Sequence, residues 1–382
     1  MISLELTKEQ KRLVEKAREL VQAEIAPRAQ EFDARGDDKF DFSLVEVLSD
    51  HNLLCPSIPR EYGGLGLNQL TTALLIEEIS AGCAGVASVV NANLHAASPI
   101  ILSGSKEQKE TFLPLLASSS PALAAFALTE PKAGSDVASI TSLAQNAGSD
   151  YIISGCKDYV LNASHASFFS VFVSTTPPKK RASLRAFVIP GNAPGMLLGE
   201  VRNKVGLRYT NTTELIMEQV KVSESNMVGG DRAGSGYLLL TQTLDRGRAL
   251  VGAVGVGIAR AAYNLALDHA RTRIQFGKPI IKNQAISFAL AEMATQIELA
   301  RLMTWKACWL IDRNQDYTTA SSMAKLYASE IAQQITSRTI EILGAKGYLS
   351  NSPADKYARD ARVLATIEGT NNIQKAIIAS LL

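Results

Sequence analysis

The chain has 382 residues, which is long enough to bury a large core and to form two or three domains. Hydrophobic residues make up 46% and charged residues 20%, an ordinary balance for a globular protein. With 39 Lys+Arg against 37 Asp+Glu the net charge is only +2, so charge gives no reason to expect binding to nucleic acid or to a membrane.

The cysteines and the apolar segments argue against several other classes of protein. The four cysteines are scattered without a C-x-x-C pair, so neither a zinc site nor a disulfide framework is expected. No uninterrupted apolar run reaches the length of a membrane span, so we expect no spanning helix. Charges interrupt the N-terminal segment, unlike a signal peptide. The expectation is a cytoplasmic protein with reduced thiols and no catalytic metal.

Residues 1–120 predict an N-terminal α-helical domain. Thr7 and Gln10 have the spacing of a capping box, and apolar residues then recur at helical spacing as far as Pro27. FSLVEVLSDHNLL and LTTALLIEEIS continue the helical pattern, and a loop rich in Pro and Gly separates them.

Residues 121–230 predict a middle β domain. Short β-branched and aromatic segments, such as DYIISG, FFSVFVST and RAFVIP, are separated by Gly, Pro and Asn. Because no helix-length segment lies between them, an antiparallel barrel or sandwich is expected rather than a parallel sheet with crossover helices.

Residues 231–382 predict a C-terminal helical domain. Three long segments and a last one that ends at Leu382 have helical periodicity, which indicates a four-helix bundle. GAVGVG at residues 252–257 resembles a dinucleotide-binding loop but follows no strand, so close packing between helices explains it better. The predicted fold class is therefore α+β, with the domains in the order α, β, α.

A lone carboxylate, Glu368, lies in the apolar stretch VLATIEGTNNIQ near the end of the chain. It could cap the helix that begins at GTNN, since acids are common at helix N-termini. It could instead be a base in a dry pocket, where desolvation raises the pKa of a glutamate from about 4.3 toward neutrality. The residues alone leave both interpretations open.

The segment AFALTEPKAGSD, residues 125–136, ends a predicted strand and turns through Pro131 and Gly134. Thr129, Ser135 and successive backbone N–H groups suit an anionic or planar ligand that accepts hydrogen bonds. A capped turn that binds nothing explains the spacing equally well.

The long C-terminal helices add weaker signals. Arg273 and Gln275 follow a helix, where a cation complements the helix dipole or reaches a phosphate across a subunit boundary. Asp245 and Arg248 lie on one helical face, as in a surface ion pair worth less than about 1 kcal/mol.

The order of the motifs resembles the acyl-CoA dehydrogenase family. ALTEPKAGSD stands at the first domain junction, RxQFGxPIxxxQ begins at Arg273, EILGAKGY stands further on, and RDARVLATIEGTNNIQ lies near the end. The resemblance covers essentially all 382 residues. NANLHAASPIILSGSKEQKETFL and LARLMTWKACWLIDR look most like the short-chain, butyryl-type members.

The resemblance implies a cofactor, a reaction and a base. Members of the family bind FAD, usually as homotetramers, and remove a proton from Cα and a hydride from Cβ of an acyl thioester. The hydride goes to flavin N5, and the electrons leave to an electron-transfer flavoprotein. The base in most members is the Glu of an EGT motif, here Glu368. Its N–H and a flavin hydroxyl are expected to bind the thioester oxygen. The predicted product is a trans-2-enoyl thioester of a short-chain or small branched acyl-CoA.

The other site residues are carried over by position from the family. Asp245 and Arg248 are expected near the thioester and the base, and Arg248 is expected to lower the pKa of Glu368. Arg273, Gln275 and Phe276 are expected to reach the FAD of a neighbouring subunit. The full set for the cofactor is Phe126, Leu128, Thr129, Gly134, Ser135, Tyr159, Leu161, Arg273, Gln275, Phe276, Gln284, Glu341, Ala345, Thr370 and Asn372. The set for the substrate is Ser135, Asp245, Arg248, Gly369 and Asn91, the last at the end of the acyl tail.

The chain departs from the family pattern at five positions. Tyr159 and Leu161 stand where the Trp and Thr of a Trp-Ile-Thr strand commonly meet the flavin. Ile367 precedes the base, where Tyr is common. Glu341 and Ala345 replace the Gln and a Gly of a Q-x-x-G-G pattern.

Other functions stay open at this point. The same fold acts in some proteins on acyl groups bound to a carrier protein, or as an enoyl-CoA reductase. Some carrier-protein members use a base next to the GR segment, where this chain has Gly247. A flavin-free binding or scaffold protein is a further hypothesis. The presence of Glu368 and of the segment AFALTEPKAGSD, residues 125–136 and called the AGSD loop below, argues against it.

Overall fold

The computed structural model describes residues 5–35, 40–118, 120–176 and 181–382. Helices fill the chain before the sheet: α1 (Lys8–Leu20), α2 (Ala26–Arg35), α3 (Ser43–Asp50), α4 (Gln69–Gly82), α5 (Ala84–Ser103) and α6 (Lys106–Phe112). The capping box at the start of α1 is confirmed, because the Thr7 side chain accepts from Gln10 N–H and the Gln10 side chain accepts from Thr7 N–H. The helix does not end before Pro27 as predicted, since a π-helical segment, Val21–Ile25, leads into α2.

Eight strands follow the helices: β1 (Leu123–Ala127), β2 (Leu143–Ala147), β3 (Asp150–Leu161), β4 (Ala166–Ser174), β5 (Leu184–Pro190), β6 (Met196–Val201), β7 (Thr212–Ser223) and β8 (Met227–Val228). They form one sheet in the order β6-β7-β3-β2-β4-β5-β8, with β1 paired beside β4. The predicted β region is confirmed.

The pairing of the strands differs from the prediction in one respect. β1 runs parallel to β4, and β2 meets β4 in parallel at Leu143 and Ser174, whereas the other pairs of the sheet are antiparallel. The sheet is therefore mixed and, among the described residues, not closed into a barrel. The parallel pair arises because the chain leaves β1, forms the β2–β3 hairpin and returns to β1 only at β4.

The C-terminal region contains three long helices, α7 (Ser235–Thr272), α8 (Gln284–Asp312) and α9 (Thr318–Leu343). A two-residue hairpin of β9 (Ile274–Gln275) and β10 (Lys278–Pro279) joins α7 to α8. The predicted fourth helix is two helices, α10 (Pro353–Leu364) and α11 (Asn371–Ser380). The break between them carries Glu368 and Gly369, whose backbones have φ values of +56° and +85° and cannot continue a right-handed helix.

The glycines of GAVGVG serve close packing, as the sequence indicated. A Cβ on Gly252 would lie 2.8 Å from Oγ1 of Thr304, and one on Gly257 would lie 2.5 Å from the carbonyl oxygen of Glu77. Small residues therefore let α7 approach α8 and α4.

Two helices, α5 and α7, are long and apolar enough to cross a membrane by length and composition alone. Their most apolar windows have mean hydropathies of 1.3 and 1.5, and 89% and 67% of those windows is buried inside the protein. Core helices of globular proteins pass the same test, so the two helices are weak evidence for a span.

Candidate active site

A cavity of about 1310 Å³ lies between α5, the strand ends of β1 and β3, the middle of α7 and the α10–α11 turn. Its volume exceeds the range of about 300–1,000 Å³ that holds a drug-sized ligand, so it has room for more than one bound molecule. The cavity brings together most of the residues that were predicted for the site. Those on its wall are Asn91, Phe126, Leu128, Thr129, Gly134, Ser135, Tyr159, Leu161, Asp245, Arg248, Glu368, Gly369 and Thr370.

The remaining predicted residues do not line this cavity: Arg273, Gln275, Phe276, Gln284, Glu341, Ala345 and Asn372. All seven are exposed on the surface of the chain. Phe276, at the tip of the β9–β10 hairpin, is 96% exposed. Glu341 accepts a hydrogen bond from Arg338, 2.6 Å away. The role of the hairpin residues toward another copy of the chain stays a prediction.

Glu368 reaches the cavity from the α10–α11 turn. Its side chain is 19% exposed, and its Oε1 lies 3.0 Å from Nδ1 of His95, which is only 4% exposed. The N-cap of α11 is Thr370, whose Oγ1 accepts from the N–H of Ile373. The capping interpretation of Glu368 is therefore wrong.

The pKa of Glu368 moves in the direction opposite to the prediction. Burial pushes the pKa of this carboxyl upward, but the His95 hydrogen bond and the charges of His95, Arg248 and Lys325 together hold it below its ordinary value. The predicted rise toward neutrality is wrong, whereas the expected lowering by Arg248 is confirmed in direction. The carboxyl is ionised at neutral pH.

Three buried side chains, one from each of three helices, donate hydrogen bonds to the backbone of the α10–α11 turn. Arg248 Nε donates to the carbonyl oxygen of Glu368 at 3.4 Å, and Gln374 Nε2 donates to the same oxygen at 3.2 Å. Lys325 Nζ donates to the carbonyl oxygen of Gly369 at 2.8 Å. Desolvation lowers the pKa of Lys325 to about 8, against the attraction of Glu368. The turn is thus fixed through its backbone, which leaves the carboxyl group facing the cavity.

Asp245 and Arg248 form a buried ion pair rather than the surface pair that their spacing suggested. Their side chains are 5% and 8% exposed, and the second oxygen of Asp245 accepts from Oγ1 of Thr318 at 2.8 Å. Burial raises the pKa of Asp245, although Arg248 and Thr318 oppose that rise. The pair keeps the Arg248 guanidinium oriented beside the α10–α11 turn.

The AGSD loop is shaped by a buried pair that sequence reasoning did not find. Lys157 on β3 donates to Glu130 at 2.9 Å and to the carbonyl oxygen of Leu128 at 3.0 Å. The backbone N–H groups of Thr141 and Ser142 also donate to Glu130. This network fixes the loop that places Thr129 and Ser135 on the cavity wall.

The cavity wall fits a large, partly polar cofactor. Open space surrounds the Cβ position of Gly134, so a ligand can approach the backbone of this loop. Tyr159, on the same wall, is 61% exposed. Three buried polar atoms of wall residues, Oδ1 of Asn91, Nε2 of His95 and Oγ1 of Thr212, have no hydrogen-bond partner among the described residues. The wall therefore combines backbone donors, unpaired polar groups and apolar surface, as the binding of FAD with a thioester requires.

Sequence reasoning missed His95 and Lys325 as well as Glu130. A lone histidine in the apolar helix α5 and a lysine that is fully buried in α9 are unusual, since lysine is rarely buried unless it has a partner. The periodicity of α9 placed Lys325 on a helix but did not show which face is buried.

Comparisons of the whole chain and of its separate regions with known proteins match one and the same family. Models of the acyl-CoA dehydrogenase N-terminal, middle and C-terminal domains match residues 7–120, 125–220 and 234–382. The chain is 37% identical over 379 residues to the short-chain specific acyl-CoA dehydrogenase, mitochondrial, of Rattus norvegicus, covering 99% of the chain and 90% of that protein.

Two solved structures have the same fold over nearly their whole length. Butyryl-CoA dehydrogenase from Megasphaera elsdenii superposes with a TM-score of 0.95 at 33% identity, covering 100% of this chain and 99% of that one. The prolyl acyl carrier protein oxidase AnaB superposes with a TM-score of 0.91 at 31% identity, covering 99% of both chains.

Proposed function

Because the chain belongs to the acyl-CoA dehydrogenase family, whose members are FAD-dependent oxidoreductases, we propose a specific reaction for it. It converts a short-chain or small branched acyl-CoA to the trans-2-enoyl thioester. Glu368 removes the proton from Cα of the substrate. FAD, when bound, supplies the acceptor for the hydride that leaves Cβ.

The observation that carries this proposal is the state and position of Glu368. Its carboxyl group faces the cavity, its neighbours hold its pKa below the ordinary value, and it sits on a turn held by Arg248, Lys325 and Gln374. A general base has to be deprotonated and positioned before the substrate arrives. A lowered pKa makes the carboxylate a weaker base, so the acidity of Cα has to be increased from the other side.

The backbone N–H of Glu368 can supply that help. No hydrogen bond from this N–H occurs among the described residues, so it is available to the thioester oxygen. Negative charge grows on this oxygen as the proton leaves Cα. A fixed donor at this point stabilises the transition state more than the ground state.

The residues expected to hold FAD fall into two main groups, and three others, Glu341, Ala345 and Asn372, are exposed outside the cavity. Phe126, Leu128, Thr129, Gly134, Ser135, Tyr159, Leu161 and Thr370 face this chain's own cavity. Arg273, Gln275, Phe276 and Gln284 lie at the exposed β9–β10 hairpin and the start of α8, where we propose that they meet the FAD of a neighbouring copy in a homotetramer. An electron-transfer flavoprotein is the proposed acceptor.

The wall formed by α5 supports a small acyl group. Asn91 and His95 lie one helical turn apart on the cavity wall, and both are more than nine-tenths buried. His95 fills the space beside the carboxylate. The likeness to butyryl-CoA dehydrogenase points to the same substrate size.

The test is a panel of thioesters added anaerobically to the purified, FAD-loaded protein. We expect butyryl-CoA or isobutyryl-CoA to bleach the flavin absorbance faster than octanoyl-CoA does. Crotonyl-CoA added to the reduced protein tests the reverse, reductase direction. If no CoA thioester bleaches the flavin, the short-chain assignment is wrong.

A second candidate is the same reaction on an acyl group attached to a carrier protein. The likeness to the prolyl acyl carrier protein oxidase over 99% of the chain supports testing this second candidate as well. Butyryl and prolyl groups on a phosphopantetheinylated carrier protein extend the panel. Bleaching by carrier thioesters alone would replace the CoA assignment.

A further inference from the structure

The residue in contact with the proposed base is His95, which no motif of the sequence singled out. It projects from α5, and its Nδ1 lies 3.0 Å from Oε1 of Glu368. Because an ionised carboxylate only accepts hydrogen bonds, a hydrogen bond across this distance requires the proton on Nδ1. The second oxygen of Glu368, Oε2, has no hydrogen-bond partner among the described residues.

The imidazole of His95 is clamped between two walls. On one side lies the ring of Phe126, with centroids 5.4 Å apart. On the other side lies α7 at Gly247, where a Cβ would be 1.9 Å from Nε2 and 2.0 Å from Cε1 of His95. Only glycine at this position leaves a slot for the ring. Nε2 has no hydrogen-bond partner among the described residues, so the ring is held by shape and by its contact with Glu368.

Besides His95, the charges around the carboxyl group come from two other helices. Arg248 on α7 is held by Asp245, Lys325 lies on α9, and both cations donate to carbonyl oxygens of the turn rather than to the carboxylate. His95 is therefore the one described charged or ionisable side chain with a nitrogen within hydrogen-bonding distance of the carboxylate itself. Without His95, the backbone of Glu368 would still be fixed, but its side chain would be free to adopt other rotamers.

We propose that His95 is a positioning residue for the base, and that Gly247 is the residue that makes room for it. This proposal rests on the proposed function, in which Glu368 removes the α-proton. By donating from Nδ1 to Oε1, the clamped imidazole fixes the rotamer of Glu368 and leaves Oε2 directed at the substrate. Gly247 makes room for His95 because any side chain at position 247 would enter the volume that the imidazole fills.

Two substitutions separate hydrogen bonding from packing. His95→Asn places an amide N–H close to the position of Nδ1 and retains a donor, whereas His95→Leu retains volume and removes the donor. We expect His95→Leu to lower kcat by about 10²-fold with bound FAD unchanged, because a misplaced base loses its alignment. His95→Asn should restore most of that loss.

The pH profile provides a readout that packing alone does not move. The acidic limb of kcat/KM reports the pKa of the base in the free enzyme. Because a hydrogen bond to the carboxylate lowers its pKa, losing the donor raises it, so the acidic limb of His95→Leu should move to higher pH. Equal losses in the Leu and Asn variants, or an acidic limb that stays in place in His95→Leu, would overturn the proposal.

A spectroscopic test does not depend on turnover. The chain has only four histidines, so selective ¹⁵N-histidine labelling gives few ring signals. We expect Glu368→Gln to shift the signal that His95→Asn removes. If no histidine signal responds to Glu368→Gln, the His95–Glu368 contact is refuted. If Glu368→Gln shifts that signal but keeps full turnover, the contact stands and the assignment of the base in the proposed function fails.

Gly247 gives a matched test of the slot. Gly247→Ala should resemble His95→Leu, because the new Cβ collides with Nε2 and Cε1 of the ring. Asn has no atoms at those two positions, so Gly247→Ala should cost much less in the His95→Asn background. Equal effects in both backgrounds would show that the slot has no connection with His95.

Discussion

Two loops of the molecule each carry a glutamate next to a buried lysine, and they use it differently. In the AGSD loop, Glu130 is 2% exposed and accepts from Lys157, from the N–H groups of Thr141 and Ser142, and from the Thr141 hydroxyl. In the α10–α11 turn, the carboxyl of Glu368 is 19% exposed and accepts from His95. There the lysine, Lys325, donates to the backbone instead.

The difference separates a structural carboxylate from a reactive one. Burial raises the pKa of Glu130, but Lys157 and the surrounding N–H groups outweigh it and bring the pKa to about 2. All of its hydrogen-bonding capacity is directed into the fold, so it has none left for a ligand. Glu368 has an oxygen without a partner among the described residues and an open cavity before it. Spare hydrogen-bonding capacity beside a cavity is therefore a better sign of chemistry than burial.

The first prediction tests this contrast at the reactive carboxylate. Glu368→Gln should lower the rate of flavin reduction by about 10²- to 10⁴-fold, since an amide cannot accept the α-proton. The FAD content and the urea midpoint should stay near those of the wild type, because the backbone of the turn is held by Arg248, Lys325 and Gln374. Stopped-flow absorbance measures the rate, and retained turnover would move the base elsewhere.

The second prediction concerns the structural carboxylate. Glu130→Gln leaves Lys157, which is fully buried, without its counter-ion and should lower the free energy of unfolding by about 3–5 kcal/mol. Because Lys157 also donates to Leu128 on the cavity wall, weaker retention of FAD should accompany the lost stability. Urea unfolding and the flavin-to-protein absorbance ratio measure the two effects.

A matched control for this substitution is Glu110→Gln. Glu110 also pairs with a lysine, Lys106, but the two side chains are 56% and 85% exposed. Its loss should change the free energy of unfolding by less than about 1 kcal/mol. Similar losses for the two variants would show that the Glu130 network has no special role.

Much of the fold could be predicted from the sequence because its signals are local. The capping box at Thr7 and the apolar periodicity of α7 are contained in short segments, and both are confirmed. The parallel pairing of β1 with β4 was missed, because it depends on which distant strand β1 meets. Nothing within the five residues of β1 records that choice.

The residues of the site likewise divide into those that local sequence indicates and those that only the fold brings together. Contiguous motifs indicated Glu368 and the AGSD loop, and the structure places both on one cavity. His95 and Lys325 are far from Glu368 in sequence and approach it only in the fold, so the motifs gave neither residue a role. The direction of the Glu368 pKa was wrong for this reason: desolvation follows from an apolar stretch, whereas the neighbouring charges follow from tertiary structure.

The third prediction, the smallest effect, uses Lys325 to compare the lysines of the two loops. Burial lowers the pKa of Lys325 to about 8 in the folded protein, below the ordinary value of 10.5. Between these values the unfolded chain binds more protons at this group, so its contribution to stability increases as pH rises. Lys325→Met removes that contribution. Lys157 is present in both proteins, so its own pH dependence cancels when the two free energies of unfolding are subtracted.

The free energy of unfolding of the wild type minus that of Lys325→Met should therefore increase from pH 8 toward pH 10, by at most about 1.4 kcal/mol per pH unit. Urea titrations at four pH values between 7 and 10 measure the slope. A difference that is flat or falls with pH would mean that burial does not lower the pKa of Lys325 in the folded protein. The hydrogen bonds of Lys325 to the Gly369 carbonyl oxygen and to Oδ1 of Asn371 would then offset the cost of burying its ammonium group.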